Sequence, residues 1–331
     1  MILPDFDYFR PASLEETAEL LREHGPQCRL VAGGTDLLPN MKNNLVRPKA
    51  VISLQGIRVR EPELTAEGFL RVDAKTTLAD LAISSLVREQ APLLAESALE
   101  VASNQIRQMG TLGGNLCQES RCLHFNQSHE FQFQEPCYKL GGDCCYPYPG
   151  VGKSCLSVFM SDTAPALICL EAQVEVYRGG KTRKMPLADL YTQDGLNPLT
   201  LGQEEIVTAV LIPAVSPRSG GAFEKNTTRG GVDFAIVSVA VWLRLENDGA
   251  TCAEVRICLG SVAGGPLRAP KAESQLAGNR LDEAAIAAAG SNVSEEIRPV
   301  PHHGYPLGFL KHIIRVYSKR ALKKAWERAT S

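Results

Sequence analysis

The sequence predicts an α+β protein of two domains, and three observations carry that expectation. At 331 residues the chain is long enough for two cores. Pro213-Ala214-Val215-Ser216-Pro217-Arg218-Ser219-Gly220-Gly221 reads as a linker, because proline and glycine interrupt helix and strand alike. Beyond it, strand patterns are followed by helix patterns, the order of an α+β domain. Residues 1–215 are therefore expected to form one domain and residues 216–331 another.

Composition narrows the function. The net charge is −2 with the signs interspersed, so no nucleic-acid backbone is an expected partner. The longest apolar run, Phe234 to Leu243, is too short to span a bilayer. The N-terminus MILPDFDYFRPASLEE lacks the basic and apolar regions of a signal peptide, so a cytoplasmic location is expected.

Taken in order, Ser13-Leu14-Glu15-Glu16 is a capping box that opens a helix with Leu14, Ala18 and Leu21 on one face; Gly25 closes it. A short strand over Cys28–Ala32 runs into Gly33-Gly34-Thr35-Asp36-Leu37-Leu38. Paired glycines leave backbone N–H groups open to a ligand, and such concavities bind diphosphates; an ordinary strand-to-helix turn is the plain alternative. Strands are expected over Ala50–Leu54 and Phe69–Ala74, then a helix through Leu78, Leu81 and Ala82 capped by Thr76-Thr77. A helix starting at Pro92, apolar at Leu94, Ala98, Val101 and Ala102, is expected to run to about Gln105-Ile106-Arg107. Next comes a second glycine run, Gly110-Thr111-Leu112-Gly113-Gly114-Asn115. The two glycine loops are expected to grip the two ends of one extended dinucleotide.

Asp162-Thr163-Ala164-Pro165 reads as a helix start, with Asp162 either its cap or a ligand to ribose or adenine. Val174–Tyr177 and Thr182–Met185 form a hairpin about Gly179-Gly180, and Glu205–Ile212 is a strand. Past the linker, Phe234–Glu246 and Cys252–Gly260 flank Asn247-Asp248-Gly249 as a long hairpin. Helices follow at about 269–276, 282–289 and 307–329. Lys225 and Arg229, just ahead of the hairpin, are a basic pair whose default place is solvated surface.

The most unusual stretch lies between the second glycine run and Ser161-Asp162. Cys117 to Cys155 holds six of the ten cysteines in 39 residues, spaced Cys117-x4-Cys122-x14-Cys137-x6-Cys144-Cys145-x9-Cys155. Thiolates select iron–sulfur clusters, zinc or Cu(I). Neither the paired knuckles of structural zinc nor a C-x2-C-x2-C ferredoxin run is present. Four separated thiols on one wrapping loop can enclose a cubane cluster; a disulfide-stapled loop and buried structural thiols are the alternatives. None of the six histidines, His124 and His129 within the loop and His302-His303 included, is assigned to chemistry. No Ser/His/Asp set or carboxylate pair stands out.

Taken together, Val31-Ala32-Gly33-Gly34-Thr35-Asp36-Leu37-Leu38, Gln105-Ile106-Arg107 with Gly110 to Asn115, Ser161-Asp162, Phe223-Glu224-Lys225 with Arg229 and Asp233-Phe234-Ala235, and Gly260-Ser261 with Pro266-Leu267-Arg268-Ala269 resemble the FAD-binding subunit of the molybdenum hydroxylases. That family includes xanthine dehydrogenase and carbon monoxide dehydrogenase. Most members run almost directly from Gly-Gly-Asn to Ser-Asp. The insertion seen here resembles the one in the medium (beta) subunit of 4-hydroxybenzoyl-CoA reductase, which carries an extra [4Fe-4S] cluster.

The resemblance implies a two-subdomain FAD domain of the p-cresol methylhydroxylase type (about 1–56 and 57–215, with the iron–sulfur insertion at 117–160), then an α+β C-terminal domain. For FAD it implies Val31, Ala32, Gly33, Gly34, Thr35, Asp36, Leu37, Ala102, Ile106, Thr111, Gly113, Gly114 and Asn115 around the pyrophosphate and isoalloxazine. Asp162 would hold the adenosine half, and Lys225 would approach the flavin ring to stabilise anionic reduced flavin. For the cluster it implies Cys122, Cys137, Cys145 and Cys155, with Cys117 outside and Cys145 chosen over Cys144. The implied partners are a molybdopterin-binding large subunit, a small subunit with two [2Fe-2S] clusters, and an external electron carrier, ferredoxin-like or a pyridine nucleotide. The implied reaction is reductive dehydroxylation of 4-hydroxybenzoyl-CoA; oxidation of xanthine, an N-heterocycle, an aldehyde or CO is the alternative. Such a carrier needs no acid or base of its own, since the cofactors do the chemistry.

Overall fold

The computed structural model describes residues 3–127, 135–150 and 154–331. Its three sheets follow one another along the chain. In the first, β1 (Asp7–Phe9), β2 (Cys28–Val31) and β3 (Ala50–Ser53) lie parallel in the order β1-β3-β2. Helix α1 (Leu14–His24) crosses between the first two strands. Ser13 Oγ accepts from Glu16 N–H at 3.1 Å, and Glu16 answers at Ala12 N–H, one residue outside the box the sequence implied. Gly25 ends the helix at φ +59°.

The second sheet is antiparallel: β4 (Glu63–Leu64), β5 (Phe69–Asp73), β6 (Gln173–Arg178), β7 (Lys181–Pro186) and β8 (Ile206–Pro213), ordered β4-β5-β8-β6-β7. The helical layer comes from the long excursion between β5 and β6: α2 (Leu37–Lys42) precedes it, then α3 (Leu78–Ile83), α4 (Ser85–Gln90), α5 (Pro92–Leu99), α6 (Asn104–Met109), α7 (Leu112–Leu116) and α8 (Thr163–Cys169). The single helix expected from Pro92 to Arg107 is in fact two. The Arg107 guanidinium takes the Val101 and Ala102 carbonyls at 2.8 Å each, Ala102 turns to φ +43°, and Ser103 caps the new helix.

The third sheet is antiparallel, ordered β12-β11-β10-β9 from β9 (Ser219–Asn226), β10 (Val237–Leu245), β11 (Cys252–Gly260) and β12 (Leu267–Arg268). Helices α9 (Pro270–Leu276), α10 (Glu283–Glu296) and α11 (Leu307–Thr330) follow. Strand β9 takes in the last three residues of the proline- and glycine-rich boundary stretch, Ser219-Gly220-Gly221. The glycines serve close packing: a Cβ on Gly220 would sit 2.1 Å from Ala325 O in α11, and one on Gly221 3.0 Å from Leu93 Cβ in α5.

Both faces of this sheet are covered. Val239, Val241 and Leu243 face α10 and α11, whereas Ala240 and Trp242 join the core containing α5 and α8. That two-sided burial explains the apolar run at Phe234–Leu243. Among the described residues no helix is long and apolar enough to cross a membrane.

Candidate functional site

The first glycine loop and the second do not lie at opposite ends of anything; they touch. A Cβ on Gly33 would stand 1.7 Å from Met109 O and 3.1 Å from Gly110 N, and one on Gly110 3.5 Å from Thr35 Oγ1. This corrects the expectation that each loop grips one end of a dinucleotide. Together they form one cradle. Gly34 takes φ +73°, which a side chain would strain. Gly113 packs its Cα on Ala74 and its N–H donates to Ala74 O at 2.7 Å.

Val31 to Leu37 and Ala102 are half-buried, and Ile106 is exposed. The Thr35 hydroxyl has no protein partner among the described residues. Thr111 Oγ1 is occupied by Gly114 N–H at 3.1 Å. Asn115 is fixed through its carbonyl oxygen, which accepts from Ser161 Oγ and Thr163 Oγ1 at 2.6 Å each. Its amide nitrogen has no acceptor among the described residues.

Asp162 was expected to cap α8 or to bind a nucleotide; it makes no cap bond. Instead its Oδ2 accepts from Lys225 Nζ at 2.7 Å, with the side chains only 5% and 2% exposed. Lys225 also donates to Glu100 O at 2.6 Å, so a strand of the third sheet clamps α5 to α8. Arg229 does sit in solvent, 72% exposed and paired with Asp233, but Lys225 does not, contrary to the default surface reading. The ion pair also changes the expected division of labour. Asp162 and Lys225, expected at the adenosine half and at the flavin ring, stand together 2.7 Å apart.

Asp162 Oδ1 is buried without a partner, and one Lys225 proton is unassigned. That adjoining acceptor and donor suit a hydroxyl or an adenine edge. Burial pushes the Asp162 carboxyl up to about 6, against the pull of Lys225.

The cysteine loop organises a second space. Cys122, Cys137, Cys145 and Cys155 all line one cavity of about 360 Å3, its open mouth included, with His124, Phe125, Lys139, Tyr148 and Ser157 among its walls. Neither Cys117 nor Cys144 lines it. Cys117 lies against the main core, where burial pushes its thiol up to about 12. Burial raises the Cys137 and Cys145 thiols too, with Cys122 and Cys155 adding to each shift.

None of the ten cysteines is in a disulfide, which removes the stapled-loop alternative. Among the described residues no three His, Cys, Asp or Glu side chains are close enough to share one metal ion. The four thiols nonetheless line one cavity. His124 stacks on Tyr146 at 4.5 Å and His302 is held by Val300 O and Ile236 O, while His129 lies outside the described residues.

Two sets of contacts went unread in the sequence, one of them made by Asp36, a residue expected at the flavin. Asp36 joins the two spaces: its Oδ1 accepts from Arg121 at 2.5 Å and its Oδ2 from Glu119 N–H at 2.9 Å, and Arg121 lies 4.3 Å over the Phe234 ring. Lys139 makes the other: it is 5% exposed in the cavity wall and bonded to Glu119 Oε1, Ser120 Oγ and Gly195 O. Nothing in a Lys between Cys137 and Gly141 announces burial.

Comparison with known proteins covers both halves of the chain. Residues 4–215 match the FAD binding domain in molybdopterin dehydrogenase, and residues 222–325 the CO dehydrogenase flavoprotein C-terminal domain. The chain is 34% identical to the aldehyde oxidoreductase FAD-binding subunit of Escherichia coli, over 82% of this chain and 86% of that one. It is 30% identical to the carbon monoxide dehydrogenase medium chain of Hydrogenophaga pseudoflava, over 99% of both. A solved carbon monoxide dehydrogenase structure from the same organism superposes with a TM-score of 0.80 at 26% identity, covering 99% of each chain.

Proposed function

The chain belongs to the FAD-binding medium subunits of the molybdenum hydroxylases, of the carbon monoxide and xanthine dehydrogenase type, and on that premise we propose that it is the FAD and [4Fe-4S] electron-transfer subunit of a molybdenum-containing oxidoreductase. The observation that carries the proposal is the convergence of Cys122, Cys137, Cys145 and Cys155 on one cavity, in a loop that Asp36 ties to the glycine cradle. Four cysteines on one cavity are the ligand set that a cubane cluster takes. Residues 1–215 would bind the flavin, 117–160 the cluster, and residues 216–331 would close the site from the far side.

In this reading Gly33, Gly34 and Thr35 meet the pyrophosphate with backbone N–H groups and a hydroxyl, opposite Thr111, Gly113, Gly114 and Asn115. Val31, Ala32, Leu37, Ala102 and Ile106 line the crevice and exclude water. Asp162 Oδ1 accepts from the adenosine half, and Lys225 holds that carboxylate in place. Asp36 fixes the distance between cradle and cysteine loop. When bound, FAD supplies two-electron chemistry and the cluster one-electron steps. The four thiols lose their protons on metal binding, so cluster assembly releases protons and favours higher pH. The expected partners are a molybdopterin-binding large subunit, a small subunit with two [2Fe-2S] clusters and an external carrier, either ferredoxin-like or a pyridine nucleotide.

For the holoenzyme, the resemblance of the cysteine-bearing insertion to that of the 4-hydroxybenzoyl-CoA reductase medium subunit favours reductive dehydroxylation of 4-hydroxybenzoyl-CoA. The 34% identity to an aldehyde oxidoreductase subunit favours aldehyde oxidation as the second reading. Anaerobic mixing of the assembled enzyme separates them. An aldehyde that bleaches the flavin and iron–sulfur bands supports oxidation. Reoxidation of the dithionite-reduced enzyme by 4-hydroxybenzoyl-CoA supports dehydroxylation. A protein without flavin absorbance after anaerobic purification would end both.

A further inference from the structure

Beside the four thiols lies a buried polar chain that ligand binding alone does not call for. Lys139 Nζ reaches Glu119 Oε1 at 2.8 Å, Ser120 Oγ at 2.6 Å and Gly195 O at 2.5 Å. Ser120 Oγ lies 2.6 Å from Ser157 Oγ, and Ser157 Oγ 3.2 Å from Cys155 Sγ. Ser120 and Ser157 are both buried. Gly195 must be glycine for its carbonyl to enter this knot, since a Cβ there would stand 2.6 Å from Ser157 Oγ.

The proton count gives the chain a direction. An ammonium has three protons and no acceptor, and here Glu119, Ser120 and Gly195 take all three. Ser120, having accepted, has its own proton to give. Its nearest acceptor is Ser157 Oγ at 2.6 Å, against 2.8 Å for Gly195 O, which already accepts from Lys139. Ser157 then has one proton and two candidate acceptors, Gly195 O at 2.9 Å and Cys155 Sγ at 3.2 Å. When Cys155 is a thiolate the charged acceptor wins, because charge-assisted bonds are about twice as strong as neutral ones. The ammonium polarises every link toward the sulfur.

We infer that the Lys139–Ser120–Ser157 chain donates a hydrogen bond to the Cys155 thiolate and raises the reduction potential of the cluster that thiolate holds. This rests on the [4Fe-4S] reading above. An added electron raises the charge on the ligating sulfurs, so a donor at one of them favours the reduced cluster. Ser157 and Lys139 are positioning residues in this account, for neither ligates iron. The same chain begins at Glu119, whose N–H is held by Asp36 of the flavin cradle, so the tuning element is anchored to the flavin side.

The test is dithionite titration of the anaerobic holoenzyme at fixed potentials, following the low-temperature electron paramagnetic resonance of the reduced cubane and the visible bands of the flavin. Ser157→Ala and Lys139→Met should retain iron and flavin while the cluster midpoint falls. For Ser157→Ala the expected shift is about tenfold in the reduced-to-oxidised ratio at a fixed poise, about 59 mV for one electron. Ser157→Thr keeps the hydroxyl and should stay near the wild-type value, and the flavin midpoint should not move in any of them. Full iron with an unchanged midpoint in Ser157→Ala would overturn the inference. So would loss of iron from Ser157→Ala, which would make the chain a scaffold for the site. A wild-type enzyme without the cubane signal would sink the cluster reading itself, a failure distinct from the other two.

Discussion

Gly33→Ala isolates the contact on which the flavin cradle depends. The added methyl would lie 1.7 Å from Met109 O, 2.5 Å from Met109 C and 3.1 Å from Gly110 N, all backbone atoms that no rotamer change can move. Carbon contacts are comfortable at about 3.5–4.0 Å, so the loops must part by roughly 2 Å. Overpacking of this kind costs about 1–3 kcal/mol. At about 1.4 kcal/mol per tenfold, that predicts FAD binding weakened about 5- to 150-fold if the cradle absorbs the strain. Titrating apoprotein with FAD by flavin fluorescence measures it, and Gly231→Ala is the control, since a Cβ there meets nothing within 4 Å. A Gly33→Ala protein that binds FAD within twofold of wild type would refute the claim that loop-to-loop contact shapes the site.

Three other outcomes follow from named contacts. Asp162 has its carboxyl pushed up from 3.8 to about 6 in the free protein, and a donor from bound FAD on Oδ1 favours the ionised form. FAD affinity should therefore be level above about pH 6 and fall as pH drops through that value, with the dependence gone in Asp162→Asn; calorimetric titration across pH 5 to 8 reads it. Cys145→Ser should strip the iron while Cys144→Ser keeps it, because only Cys145 lines the cavity; colorimetric iron analysis decides. Arg121→Met should lower unfolding stability by only about 1 kcal/mol, since the Asp36 pair is partly exposed and the Phe234 contact adds little more; denaturant midpoints measure the loss.

Local signals in the sequence were read well where local chemistry decides the structure. The Ser13 cap, the Gly179-Gly180 hairpin and the hairpin about Asn247-Asp248-Gly249 all stand where the residues put them. Strand β9 was not legible, because Gly220 and Gly221 look like linker until α11 and α5 are known to press on them. For the same reason Lys225 looked like a surface residue and Asp162 like a cap. Their pairing is a contact between two domains 63 positions apart in the chain, which no periodicity encodes. The four cysteines chosen by resemblance, Cys122, Cys137, Cys145 and Cys155, all line the one cavity. The Lys139 chain was invisible: its partners come from positions 119, 120, 157 and 195, brought together only by folding.

Metal and sulfide analysis of the anaerobically purified protein tests the central claim most directly. The account predicts about four iron and four acid-labile sulfide per bound FAD, lost together when Cys122 or Cys155 is changed to serine while the flavin stays. Full flavin with zinc, or with no metal at all, in the wild-type protein would contradict it.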